Sequence, residues 1–385
     1  MADHGGSMFQ SRMSLTQKLL QLHWVLVLLL TVIASIGFAM LYSAAGGDME
    51  PWASRQISRF GIGMVAMVAI AVTDIRVWLR YSYGFYFLVL ALLIGVEIAG
   101  FAGMGARRWI SFGLFNVQPS ELMKIAMVLV LARYFHGGSI EDVGRITFLL
   151  PPVLMVAIPA VLILRQPDLG TTVMLVLGSV GMFFAAGVRM WKFVVGGLLT
   201  LASAPMAWFF LLLDYQKKRI LVFLNPELDT LGAGYHIIQS KIALGSGGVF
   251  GKGFMLGTQS HLNFLPEKQT DFIFTMFAEE FGLVGGLALI GLYILILVYA
   301  FVIAMSSRNH FGRLVAIGIT VTFFLYVFIN IAMVMGLIPV VGVPLPLVSY
   351  GGTAMLTVLV GFGLLLCVHI HQDTTIGRRD GGDGF

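Results

Sequence analysis

The sequence predicts an all-α polytopic membrane protein of about ten transmembrane helices, with a large extracytoplasmic loop between the seventh and eighth. Three observations carry that expectation. Of 385 residues, 58% are hydrophobic and 11% charged, less than half the ~25% charged content of an ordinary soluble domain. The apolar residues fall in runs near the ~20 residues a helix needs to cross a bilayer, too long and continuous for barrel strands. The polar connections between runs are short except for 214–270.

Taken in order, the spans are expected at 23–43, 57–73, 81–100, 119–135, 149–164, 170–187, 193–213, 271–304, 314–335 and 352–371. The first follows Arg12 and Lys18. It outlasts the ~7–15-residue apolar core of a signal peptide, so it reads as an uncleaved span although Ser43-Ala44-Ala45 follows. The eighth exceeds the length a bilayer requires and is expected to tilt or to project at one end. With the N-terminus inside, the short loops place twelve Lys and Arg residues on the cytoplasmic side and six on the other. Both termini are therefore expected in the cytoplasm. The domain plan is a tail at 1–20, one transmembrane domain at 21–371 and a tail at 372–385.

The long outer loop adds six bases: Lys217, Lys218, Arg219, Lys241, Lys252 and Lys268. An outer face this basic suits an anionic lipid headgroup or a diphosphate; the scatter of the bases argues against nucleic acid. Within the loop, GSGGVFGKGFMLG at 245–257 fails as a phosphate-binding P-loop, because Gly251-Lys252 is followed by Gly253 rather than Ser or Thr. It reads as a flexible glycine turn. The segment GARRWISFGLFNVQP at 105–119 mixes Arg107, Arg108 and Trp109 with other aromatics and reads as an interfacial piece or an ordinary snorkelling anchor. The single cysteine, Cys367, excludes an internal disulfide and a cysteine-built metal site. His261 reads as a loop histidine, and no HExxH spacing occurs among the eight histidines.

Charged groups at the ends of spans are costly, so each is a functional candidate. Glu121 and Lys124 in QPSELMK share one helix face at i, i+3. Asp168 lies in RQPDLGT, and Asp271 in FLPEKQTDFIF. Glu279 and Glu280 follow two turns later. Each has a structural alternative: Thr270-Asp271 as a helix start, Glu121–Lys124 as a purely structural pair, Asp168 as a cap. The clustering of these groups on the outer side favours chemistry. One carboxylate can act as general base, while basic residues or a divalent cation neutralise a departing diphosphate. A sugar diphosphate already carries a good leaving group, so the two-carboxylate requirement of glycosidases does not apply.

Together FLPEKQTDFIF, RQPDLGT, QPSELMK and GVPLPLVSYGG (342–352) resemble the SEDS family of bacterial envelope proteins, in its elongation-specific branch. The resemblance runs from about residue 20 to 371. It implies a ten-span fold in the bacterial inner membrane and a peptidoglycan glycosyltransferase that polymerises lipid II on the periplasmic side. It also implies a class B penicillin-binding protein as crosslinking partner, undecaprenyl-linked glycan as the second substrate and no organic cofactor. A divalent cation, Mg or Mn, is the one cofactor this chemistry admits. By the same resemblance the catalytic group is Asp271, supported by Glu121 and Lys124. Arg107, Arg108, Trp109, Asp168, Lys268, His261 and Ser349 are candidate substrate-binding residues. The rival readings are a lipid II flippase and a scaffold that only positions other enzymes.

Overall fold

A computed structural model describes residues 14–99, 101–103, 106–111, 116–211, 213–229, 232–261 and 267–377. Its helices are α1 (Leu15–Leu20), α2 (Trp24–Ala44), α3 (Ala53–Ala71), α4 (Ile75–Ala99), α5 (Pro119–Gly137), α6 (Ile140–Val143), α7 (Ile146–Arg165), α8 (Leu169–Ala185), α9 (Met190–Met206), α10 (Asp214–Leu224), α11 (Ala233–Ser246), α12 (Thr258–His261), α13 (Ile273–Ser306), α14 (His310–Val334) and α15 (Gly352–Ile370). A short antiparallel sheet of order β1-β2-β3 (Phe101–Gly103, Ala106–Ser111, Asn116–Val117) joins α4 to α5.

Each of the ten expected segments falls on one of these helices. Six (α2, α4, α7, α13, α14 and α15) are long and apolar enough to cross a membrane. The apolar helices α8 and α9 are shorter, at 17 residues each. Arg55 and Arg59 open α3, and Glu121, Lys124 and Arg133 lie on α5, which makes these two less apolar than their neighbours. Burial explains how α5 tolerates its charges. Nearly all of its residues are buried, so it forms the centre of the bundle with α14 and α15 instead of facing lipid. By contrast α9 buries none of its side chains.

The helix ends sort onto two faces. On one, Lys18 Nζ donates to the Val72 carbonyl at 2.7 Å, Cys367 Sγ reaches the Thr73 carbonyl at 3.1 Å, and the His23 and His369 rings meet at 5.4 Å. The two described chain ends therefore share a face. On the other, Gln56 Nε2 donates to the Ser349 carbonyl at 2.9 Å, Tyr293 to the Pro346 carbonyl at 2.7 Å, and Ser43 to Glu280 at 2.5 Å. Every candidate acid of the sequence lies on this second face.

Two expectations change. The eighth segment, expected to tilt or to project at one end, is not one continuous helix: α13 breaks at Gly282, whose φ of 67° and ψ of −165° are non-helical. Residues 273–281 form a half-helix buried from Ile273 to Glu280, and 283–306 form the apolar remainder. Gly282 is required there because a Cβ would stand 2.3 Å from the Gly251 backbone nitrogen. The glycine loop, read as a flexible turn, is the element that makes the break tolerable. Leu283 and Val284 N–H donate to the Gly248 and Val249 carbonyls, while Lys252 and Gly253 N–H donate to the Glu279 and Glu280 carbonyls. A broken helix exposes orphan backbone groups, and the loop satisfies them with its own. The described part of the Arg-Arg-Trp segment, read as an interfacial piece or an anchor, is a strand of the small sheet, with Arg107 and Trp109 paired to Ala102 and Phe101.

Candidate active site

The four motifs form one assembly. Gln118 caps the start of α5, and its Nε2 donates to Asp168 Oδ2 at 3.1 Å, tying QPSELMK to RQPDLGT. Ser349 Oγ donates to the Thr270 carbonyl at 2.6 Å, and Tyr350 N–H to the Gln269 carbonyl at 2.8 Å, locking GVPLPLVSYGG onto FLPEKQTDFIF. Asn330 of α14 donates through Nδ2 to the Asp271 carbonyl at 3.0 Å and to the Val343 carbonyl at 2.7 Å, so one amide holds both latter segments. Gly170 packs against the Val341 carbonyl, where a Cβ would clash at 2.6 Å, and so brings α8 against the extended segment that leads into GVPLPLVSYGG.

Asp271 lies in the turn that precedes the half-helix and is half-buried. Its carboxyl faces Gly342, whose φ is +77°; a Cβ there would be 3.5 Å from Oδ2. Enclosure pushes the Asp271 pKa up to about 6, with Glu267 and Asp168 raising it further and the Arg219 guanidinium opposing them. Arg219, from α10, donates through Nη1 to the Val340 carbonyl at 3.2 Å. The guanidinium is thus anchored two residues from the glycine that Asp271 faces. A carboxylate poised in this way is a base at neutral pH and readily reprotonated below it.

The Glu121–Lys124 pair has a different setting. Lys124 Nζ lies 2.6 Å from Glu121 Oε1, and both side chains are almost fully buried, at 2% and 6% exposure. Tyr326 closes a triangle: it donates to Glu121 Oε2 at 2.5 Å and accepts from Lys124. Its ring also lies under the Lys124 ammonium, 4.2 Å from the centroid. Lys124 further lines a small cavity with Met127, Ser179, Met182 and Thr322. Lys124 is hydrogen-bonded to both Glu121 and Tyr326.

The other candidates distribute as follows. Asp168 caps α8, accepting from Thr171 N–H at 3.1 Å and from its hydroxyl at 2.9 Å. Arg108 donates to the Gln166 and Pro167 carbonyls at 2.9 and 2.5 Å, which fixes the turn that presents Asp168. Trp109 is half-buried in β2. Ser349 is occupied by Thr270 and by the Leu345 N–H. Lys268 is half-buried beside Asp271 in sequence, and loss of hydration lowers its pKa. The backbones of Arg107 and His261 lie in β2 and α12, but their side chains fall outside the described residues. Among the described residues no three His, Cys, Asp or Glu side chains gather as a metal site.

Sequence reasoning passed over Tyr326, Asn330 and Gln118, and treated Arg219 only as loop charge. A signal was present: Tyr326 and Asn330 are polar groups at i, i+4 inside an apolar run, one turn (~5.4 Å) apart on the same face of α14. That turn links the Glu121–Lys124 pair to Asp271.

The family model described as cell cycle protein, FTSW_RODA_SPOVE, matches residues 17–374. The peptidoglycan glycosyltransferase MrdB of Escherichia coli (strain K12) is 42% identical over 352 residues, covering 90% of this chain and 93% of its own. Among solved structures, a chain from a peptidoglycan synthase complex that coordinates polymerization and crosslinking aligns with a TM-score of 0.79 at 31% identity, covering 90% of this chain and 97% of that one. The rod shape determining protein RodA of Thermus thermophilus aligns at 0.69 with 28% identity, covering 92% and 98%. The chain belongs to the FtsW/RodA/SpoVE family and has its multi-pass helical fold.

Proposed function

We propose that this chain is a peptidoglycan glycosyltransferase of cell elongation that polymerises lipid II at the periplasmic face of the inner membrane. Ten helices would span the bilayer, with both termini in the cytoplasm. The observation that carries this reading is the setting of Asp271: half-buried at the mouth of a membrane half-helix, with a raised pKa that the Arg219 charge opposes. The identity to MrdB and the likeness to RodA support the elongation role.

In the proposed reaction Asp271 accepts the proton of the GlcNAc 4-hydroxyl of the incoming lipid II. The freed oxygen forms a bond to the anomeric carbon of the growing strand's terminal sugar as the bond from that carbon to undecaprenyl diphosphate breaks. Attack opposite the leaving group inverts the anomeric centre. Positive charge is needed where the diphosphate departs. Arg219 is the base placed best for it; Lys268, Arg107 and Arg108 lie in the same outer region. The described residues do not form a metal site of their own. A divalent cation would therefore be held mainly by the diphosphate, as Mg commonly is by substrate phosphates.

The likeness to a synthase complex supports a class B penicillin-binding protein as the crosslinking partner. The test is polymerisation of lipid II by the purified chain with that partner. Wild type is expected to make glycan, and Asp271→Ala to bind the partner and make none. A folded, partner-bound Asp271→Ala that polymerises at the wild-type rate overturns the assignment. Transport of labelled lipid II across vesicles that survives loss of Asp271, without polymerisation by wild type, would establish the flippase reading instead.

A further inference from the structure

We propose that the glycine loop 247–257, together with Ser43 of α2, is a clamp that positions Asp271 through the half-helix 273–281, its two buried acid contacts being Lys252–Glu279 from the loop and Ser43–Glu280 from α2. This rests on Asp271 being the base. Lys252, Glu279, Glu280 and Ser43 are then positioning residues, remote from the reacting atoms.

The half-helix is nine residues long. A helix this short is marginal alone, so its position must come from what holds its two ends. Its N-terminal end is held by the contacts of Asn330, Ser349 and Tyr350 to residues 269–271. Its C-terminal end is held by the glycine loop and α2. Glu279 is fully buried and receives Lys252 Nζ at 2.8 Å, the Gln259 N–H at 2.9 Å and the Thr258 hydroxyl at 3.3 Å. Glu280, also buried, receives the Ser43 hydroxyl of α2 from elsewhere in the bundle at 2.5 Å. Two adjacent acids thus tie one turn to two different elements.

The backbone reinforces the side chains. Four main-chain hydrogen bonds join the loop to residues 279–284 across the break. Gly251 and Gly282 both have positive φ, and a Cβ on Gly251 would lie 2.1 Å from the Glu280 carbonyl. The loop therefore sits closer to the break than any other residue would allow. A buried carboxylate costs free energy unless it is paired and hydrogen-bonded. Glu279, paired with the Lys252 ammonium and holding three donors on one oxygen, marks a contact built to hold, and Glu280 adds the Ser43 hydroxyl on one of its own. The half-helix spans about 13 Å at ~1.5 Å per residue, so movement at residue 279 is delivered to the turn that carries Asp271. A misplacement of ~1 Å at a reacting group can cost ~100-fold in rate.

The experiment uses the full chain with its transpeptidase partner and lipid II. The variants are Lys252→Met, the charge-free double Lys252→Met/Glu279→Gln, Ser43→Ala and the conservative Lys252→Arg. The expected result is a kcat reduced about tenfold or more in the first two, with KM changed less than about threefold. Ser43→Ala should show a smaller loss, and Lys252→Arg a kcat near wild type. A second readout does not depend on activity. An Asp271→Cys variant is labelled with a maleimide, against the low background of the buried Cys367, and adding Lys252→Met should raise the labelling rate severalfold. Wild-type kcat together with unchanged labelling overturns the clamp, as does a loss confined to KM. If Lys252→Met fails to fold, the double variant and Ser43→Ala decide by the same criteria. If Asp271→Asn polymerises normally, the assigned base is what fails, and labelling still decides whether the loop positions residue 271.

Discussion

Two charged centres stand about one helical turn apart along α14, and they are built on opposite principles. Around Glu121, three groups satisfy one another: ammonium, carboxylate and phenol form a closed, buried triangle. Around Asp271 the backbone is tightly held while the carboxyl is left half-buried, its pKa raised to about 6. Saturation gives a rigid post, whereas incomplete enclosure gives a group whose proton affinity can be used. Both centres looked alike in sequence, as acids opening a helix. The difference between them is whether the charge is spent.

The largest expected effect falls on Asp271. Asp271→Asn should lower polymerisation by ~10²–10⁴-fold, the usual worth of a general base, without loss of fold. Because the folded-state pKa is raised, ionised Asp271 opposes folding, and its stabilising contribution is present only at low pH and lost as pH rises through about 6. Asp271→Asn should therefore unfold at or above the wild-type temperature at pH 7, and the advantage should disappear near pH 4. A stability loss at pH 7 would place Asp271 with the structural centre and erase the contrast.

Glu121→Ala should behave in the opposite way. It leaves the Lys124 ammonium buried without its carboxylate, which costs ~3–5 kcal/mol, read as a lowered unfolding temperature in detergent. Glu121→Gln/Lys124→Met removes both charges and should recover most of that loss. If the double variant folds and polymerises, the pair is architecture; if it folds and is inactive, the pair takes part in chemistry and the distinction collapses. Tyr326→Phe removes one donor and one acceptor from the triangle and should cost a smaller ~1–3 kcal/mol.

The sequence made the bundle legible because lipid imposes one rule: each span needs a continuous apolar run. All ten segments accordingly fall on helices. It concealed the break at Gly282, since a glycine in an apolar run also suits ordinary helix packing. Only the distant loop at 247–257, folded against it, makes the break tolerable. Asp271, Glu121 and Lys124 were visible as charges where charge is expensive. What divides them was not, because Tyr326 lies 202 residues from Lys124 in sequence and Asn330 lies 59 from Asp271. Arg219 was hidden by its company, one base among six in a loop, until α10 placed its guanidinium on the Val340 carbonyl.

The smallest effects are the most diagnostic of which centre titrates. The rate of polymerisation should fall on the acid side with a midpoint near pH 6, as Asp271 gains its proton. Arg219 lowers that pKa and Glu267 raises it, so their removal should move the midpoint in opposite directions. In Arg219→Gln the carboxylate loses its compensating charge and the acid limb moves up in pH. In Glu267→Gln it loses a repelling neighbour and the limb moves down. The Glu267→Gln displacement should shrink as salt is raised, because Glu267 is exposed and screened. Glu121, saturated by Lys124 and Tyr326, should leave the limb where it is when the charge-free double variant is measured. Movement of the limb in one direction for both Arg219→Gln and Glu267→Gln, or its displacement by the Glu121→Gln/Lys124→Met change, would transfer the titration away from Asp271 and towards the buried triangle.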